Sequence, residues 1–468
     1  MTFRISDLLS CAQGSYYKKL SARVTAAALI CVLLLAPLSA CQDSEVEESP
    51  LPANYGSYGS DLALELAKSW PNRSPGSDQE REAGLFIAEE FEKLGYEPEI
   101  FPFTYFDAEG QTRSSQNIIV RISGSGFTLE DEDGDRSQVS KQVIVGAHYD
   151  VSVTEEQAYI DLTEREGLET ESLPSETTTE TTTESASDNE AEGDSTEETE
   201  DDTFGEDFDL PIPYLSDFNG IHNNASGIAA LMTLAVELKD HQEGYDIVLI
   251  AFGAAEAGLA GSRAYAAAMS EEEINDTDVM YNVNGIYAGD KVYAHAGQNS
   301  VLSGDRKIYE MRRKLYEATD VYYENELYSN NEFALYTNQS GIEVPWGSGS
   351  WQKAMYREWT LHESDHTPFD KLDIQVVYFE SFDYDSDTLE AIKESSNPVF
   401  AATNGKITGT SFDSSDYLEE LFKVSSTNAV TSGAGKKSYI DRLTLRINNV
   451  AFIIDGAIAK GIHNAVTE

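Results

Sequence analysis

The sequence predicts an α/β domain: a mainly parallel sheet sandwiched by helices. Three observations lead there. Short, almost wholly apolar runs at 143–147, 247–252 and 375–379 suit strands buried on both faces. Segments of helical periodicity lie between such runs, and strands alternating with helices imply parallel neighbours covered on both sides. Polar residues capable of chemistry follow the apolar runs, where open α/β sheets hold their ligands.

Globular patterning begins near Leu62. Ser77, Asp78, Gln79 and Glu80 have the form of a capping box; Ala83, Ile87, Phe91 and Leu94 follow at helical spacing, and Gly95 suits the position after a helix end. Strands are expected at 99–105, 117–122 and 143–147. The pattern stops at Thr154 and resumes at about Leu210. It continues with a helix at 225–238, a strand at 247–252, a helix after Gly258 and a strand near 279–286. A Tyr-rich segment at 307–336 and a strand at 375–379 come next. The closing helix, 443–462, carries Leu445, Ile447, Val450, Ile453, Ile454 and Ile458 on its apolar face.

A chain of 468 residues has room for one large enzyme domain or two ordinary ones. Its 83 acidic residues against 32 Lys plus Arg give a net charge of −51, which argues against nucleic acid or anionic lipid as partner. A hydrophobic fraction of 40% excludes a wholly disordered chain, so the acid must be concentrated. Residues 154–209 contain 22 Asp or Glu and one basic residue, Arg165, with Thr/Glu runs that offer no apolar face. They are expected to form a disordered, solvated insert within a single domain spanning 56–468.

At the N-terminus Lys18, Lys19 and Arg23 precede an apolar run at 24–37 and the residues Leu38, Ser39, Ala40 and Cys41. This is the form of a secretory signal, too short for a comfortable membrane span. Leu-Ser-Ala-Cys resembles the lipobox of bacterial lipoproteins. The resemblance implies export, removal of 1–40 with Cys11 and Cys31, lipidation of Cys41 and a membrane anchor joined through an acidic tether at 41–55. An ordinary cleavage site beside a Cys is the alternative. Either way the mature chain has no cysteine pair, so its stability rests on the core.

Five polar places stand at or near the apolar runs: His148-Tyr149-Asp150; His222-Asn223-Asn224 before Ala225-Ser226-Gly227; Ala254-Ala255-Glu256; Asn282-Val283-Asn284; and the run from Ser364 to Phe369 containing Asp365 and His366. Together and in this order they resemble the co-catalytic zinc aminopeptidases of metallopeptidase family 28, which includes bacterial leucyl aminopeptidases and, more distantly, glutaminyl cyclases. Arg73-Ser74-Pro75-Gly76-Ser77 and Asn117-Ile118-Ile119-Val120 look like the family's N-terminal landmarks.

The resemblance implies the zinc aminopeptidase fold, two zinc ions and peptide or protein N-termini as ligands. It also implies roles for single residues. His148 and His366 stand at zinc-ligand positions, Asp150 supports His148 from behind, and Glu256 stands at a ligand position beside the general base. Three positions depart from the pattern: Asn223 replaces a bridging Asp, Asn284 a second Asp ligand, and Ala255 the general-base Glu. Of three metal-binding carboxylates only Glu256 remains, so reduced or absent zinc and weak or no hydrolysis are expected. Two alternatives stay open. One is an exopeptidase using a single metal on His148, Glu256 and His366, with a base such as Asp365 or His222. The other is a surface scaffold that binds cations through the acidic insert.

Overall fold

The computed structural model describes residues 56–131, 133–153, 210–302, 310–338, 341–346, 350–355, 358–360, 362–386, 388, 391–425, 430–431, 437–438, 441–463 and 465. The expected signal, Cys41, the tether and the acidic insert lie outside them.

The order of elements is helix α1 (Tyr58–Ser69), helix α2 (Asp78–Leu94), then strands β1 (Glu99–Phe106), β2 (Thr112–Ile122), β3 (Phe127–Glu130), β4 (Arg136–Val139) and β5 (Gln142–His148). Helix α3 (Ser226–Leu238), β6 (Asp246–Phe252), α4 (Ala260–Ala268), α5 (Glu271–Asp276), β7 (Thr277–Val283) and β8 (Lys291–Ala296) follow. Later come α6 (Arg313–Glu324), β9 (Leu335–Tyr336), a hairpin of β10 (Gly341–Trp346) with β11 (Ser350–Met355), α7 (Thr367–Asp370), β12 (Val376–Phe382), α8 (Ser415–Ser425) and α9 (Arg442–Ala459).

The main sheet has eight strands in the order β1-β2-β6-β5-β7-β12-β8-β9. Its centre, β6-β5-β7-β12, is parallel as expected. The flanks are mixed: β1-β2 and β2-β6 are antiparallel, as is β12-β8, and β8-β9 is parallel. The run at 99–105 thus begins a hairpin on the sheet edge. Its half-exposed alternation, distinct from the unbroken apolar runs of the centre, fits that place.

Period-two alternation divides the core between the two faces. Val143, Val145 and Ala147 of β5 and Ile247, Leu249 and Ala251 of β6 face a layer built by α1, α2, α3, α6 and α9. Ile144, Val248, Ile250 and Phe252 point the other way, onto Tyr265 of α4, Phe369 and Ile374. Helix α3 is apolar on almost every side and correspondingly buried from Ser226 to Ala235.

The start of α2 departs from a reciprocal capping box. Ser77 accepts from Glu80 N, but the Glu80 side chain turns inward and accepts from Gly76 N, Ser115 Oγ and Ala254 N (2.7 Å). A cap residue thereby reaches the turn that follows β6.

Candidate functional site

Parallel register brings the sequence-expected positions to one end of the sheet. His148, the last residue of β5, pairs with Phe252, so the 254–256 turn lies beside it, and β7 pairs Asn282 with Gly146 and ends just before Asn284. Asn223 enters through an irregular turn at 221–225 that leads into α3. The N–H groups of His222 and Asn223 donate to Asp413 Oδ1 and Oδ2 at 2.7 and 3.1 Å. Behind the turn Arg73, fully buried, donates to the carbonyls of Tyr149 (2.6 Å), Asn219 (2.7 Å), Gly220 (2.8 Å) and Trp70 (3.2 Å). One guanidinium therefore ties the loop after His148 to the loop before Asn223.

Four of the five ligand positions are joined in hydrogen-bonded pairs. His148 Nε2 lies 3.1 Å from Asn284 Oδ1, and Asn223 Nδ2 donates to Glu256 Oε1 at 3.0 Å. Ser152 Oγ takes the other Glu256 oxygen at 2.8 Å. Asn284 Nδ2 faces Tyr378 OH at 3.3 Å and Ser364 Oγ at 3.4 Å. His366 stands apart from both pairs: it is buried, its ring is 4.5 Å from that of Tyr378, and Nδ1 is 3.4 Å from Asn282 Nδ2.

Asp150 holds the turn rather than only the imidazole. Its carboxylate accepts from Ala255 N and Glu256 N, both at 2.9 Å, and lies 3.6 Å from His148 Nδ1, which is closer to the Asp150 backbone carbonyl at 3.1 Å. Burial disfavours a charged His148. Hydrogen bonding to Asp150 and the charges of Asp150, Asp365 and Glu256 overcome it, and its pKa rises to about 10. His366 goes the other way: burial pushes it down to about 3.

Among the described residues, one group of three or more His, Asp or Glu side chains has all its ligand atoms within 4.8 Å: His241, Glu243 and Asp455. None of these is a site position, and His148, Glu256 and His366 do not form such a group. Of the two residues weighed as replacement bases, Asp365 is fully buried, and burial raises it to about 6. His222 is buried too, its Nδ1 accepting from Ala288 N at 3.2 Å.

Asn223, Glu256 and Asn284 border a cavity of about 590 Å³, lined also by Tyr378 and His362. Its wall contains a cluster that sequence reasoning missed. Buried Glu380, on β12, receives His362 Nδ1 at 2.8 Å, lies 3.0 Å from His295 Nε2, and accepts from Tyr378 OH (3.2 Å) and Tyr384 OH. Burial raises Glu380, but the His362 charge and the histidine hydrogen bonds prevail and hold it well below the usual carboxylate range. His362 and His295 are 67 residues apart: the antiparallel pairing of β8 with β12 sets His295 beside Glu380, and His362 reaches the same carboxylate from the segment before α7.

The sequence matches peptidase family M28 over residues 193–403, a stretch containing all the site positions except His148 and Asp150. That match spans somewhat less than half of the chain. The chain is 22% identical over 276 residues to the alkaline phosphatase isozyme conversion protein of Escherichia coli (strain K12), a match covering 58% of this chain and 61% of that protein. Among solved structures it is similar to BSAP, a zinc aminopeptidase from Bacillus subtilis (14% identity, 88% of this chain and 96% of that one, TM-score 0.49). It is also similar to an Acidobacteriales bacterium glutaminyl cyclase (16% identity, 86% and 93% covered, TM-score 0.47). At the ligand positions that the resemblance implies, the side chains are two imidazoles, one carboxylate and two amides.

Proposed function

We propose that this chain is an exported, membrane-anchored homologue of the zinc aminopeptidases, whose cleft holds peptide or protein N-termini and whose peptidase activity is weak or lost. The observation that carries the reading is the pairing of amides with the surviving ligands, Asn223 with Glu256 and Asn284 with His148. Asn223 turns its amide nitrogen, which has no lone pair to offer a metal, to Glu256, and Asn284 presents His148 with a neutral carbonyl oxygen in place of a carboxylate. One carboxylate stands opposite two divalent ions, so the donor set does not fit a two-zinc centre.

The chemistry left to these residues is binding. Glu256 is exposed to the cavity, and its neighbours Asn223 and Ser152 are neutral, so its negative charge is available to an ammonium group. Asp150 and Asp413 hold the two turns through backbone N–H groups and so position Glu256 and Asn223. Ala255 offers no carboxylate to take a proton from water or pass it to a leaving amine, a loss typically of about 10²–10⁴ in rate. Export and anchoring rest on the basic, apolar and Leu-Ser-Ala-Cys succession ending at Cys41.

The test is zinc content and hydrolysis of an aminoacyl chromogenic substrate by the purified protein, beside the triple variant Asn223→Asp, Asn284→Asp, Ala255→Glu. Little zinc and little turnover in the natural chain, with both gained in the variant, is the expected result. Robust turnover by the natural chain would replace this reading with that of a working exopeptidase.

A further inference from the structure

The lining of the cavity has an uneven distribution of charge. Two of its carboxylates are engaged by the protein itself. Glu380 is held by His362, His295 and two tyrosines, and Glu394 accepts from the N–H groups of Ile407 and Thr408 (2.8 Å) with His222 Nε2 at 3.8 Å. Two ammonium groups on the same lining are not so engaged. Lys393 and Lys406 border the cavity, and neither has an ion pair among the described residues.

The backbone sets the two lysines together. Ser395 N donates to Gly405 O at 3.0 Å, and the Lys393 stem lies so close over Gly405 that a Cβ there would meet Lys393 Cδ at 2.7 Å. Gly405 also has φ +78°, which favours glycine, so both conformation and space require it beside Lys406. His362, one-third exposed, adds a donor to the same lining: Nδ1 is engaged by Glu380, which leaves Nε2 for a ligand. In a chain with 83 acidic and 32 basic residues, two lysines with no ion pair among the described residues and a histidine on one cavity form an anion-attracting feature inside an acidic protein.

We propose that Lys393, Lys406 and His362 form a carboxylate-binding subsite. The ligand of the cleft is then a short peptide held at both ends, its amine beside Glu256 and a carboxylate at the lysines. This rests on the peptide-terminus reading above. The cavity of about 590 Å³ lies within the range of roughly 300–1,000 Å³ that encloses drug-sized ligands, which suits a peptide of a few residues. Glu363, exposed and bordering the same cavity, opposes the lysines, so its removal strengthens the subsite.

Calorimetric titration of the full chain with Leu-Leu, Leu-Leu amide and N-acetyl-Leu-Leu tests the subsite and the terminus reading separately. The free acid should bind at least tenfold more tightly than the amide. That preference should vanish in Lys393→Gln/Lys406→Gln, persist in Lys393→Arg/Lys406→Arg, and grow in Glu363→Gln. Circular dichroism confirms that the variants fold. Equal binding of acid and amide, a preference surviving the Gln pair, or no binding of any peptide overturns the subsite. If the acetylated peptide binds as well as the free one while the amide binds poorly, the subsite stands and the terminus reading fails. A Leu-Glu amide that binds better than a Leu-Gln amide assigns the carboxylate to an acidic side chain as well as to a C-terminus.

Discussion

Changing Asn223 to Asp puts a second carboxylate about 3.0 Å from Glu256 Oε1, where an amide N–H now donates. Two charges at that distance repel by about 5 kcal/mol at an effective dielectric near 20. Glu256 is exposed, so solvent removes most of that, and roughly 1–2 kcal/mol is expected to remain. Losing the hydrogen bond adds about 1 kcal/mol. In metal-free buffer at neutral pH, Asn223→Asp should therefore lose roughly 2–3 kcal/mol of stability, measured by urea denaturation with a chelator present. A bound cation would neutralise the new pair, and zinc at a hundredfold its Kd would return about 2.7 kcal/mol. The natural chain should gain little from the same zinc. Undiminished stability of the variant in chelator, or an equal gain from zinc in the natural chain, would refute the argument that the amide takes the metal's place.

Two further outcomes follow from the surroundings of the cleft. Replacing Arg73 by Met leaves four carbonyls of the loops around His148 and Asn223 without their donor and should cost roughly 3–5 kcal/mol in urea denaturation; a loss below about 1 kcal/mol would show that Arg73 does not tie those loops. Burial lowers His362, but the Glu380 carboxylate outweighs it and raises the imidazole above its usual value. A raised histidine stabilises the fold most fully below its unfolded pKa of about 6.5 and loses that contribution as pH climbs through the folded value. The stability advantage of the natural chain over His362→Gln should shrink between pH 6 and pH 9; an advantage independent of pH would contradict the His362–Glu380 pairing.

The central strands were legible because a strand buried on both faces must be apolar at every position, as 143–147 and 247–252 are. Helix α9 and the body of α3 followed from periodicity and length. Strand β8 and helices α1 and α8 were not foreseen. Strand β8 is short and runs antiparallel beside β12, an arrangement that long-range register decides and local pattern does not. The strand expected to reach Ile286 stops at Val283: Asn284 N still donates to Phe379 O, and Gly285, at φ +57°, turns the chain away.

The site divides similarly. His148, Asn223, Glu256 and Asn284 were legible because each follows an apolar run or precedes a helix in a fixed order. The Glu380 cluster was not, since its members come from three separate segments and no spacing links them. The two lysines escaped notice for the same reason: tertiary contacts, Ser395 with Gly405 and Glu394 with Ile407 and Thr408, bring Lys393 to Lys406.

The central claim is that amides now stand where the proposed function would place metal ligands. Calorimetric titration of zinc into the chelator-treated natural chain tests it most directly, with the Asn223→Asp, Asn284→Asp, Ala255→Glu variant alongside. The account predicts no saturable site at the cleft in the natural chain and zinc uptake in the variant. Two tight zinc sites per natural chain, accompanied by release of N-terminal residues from peptides, would contradict it.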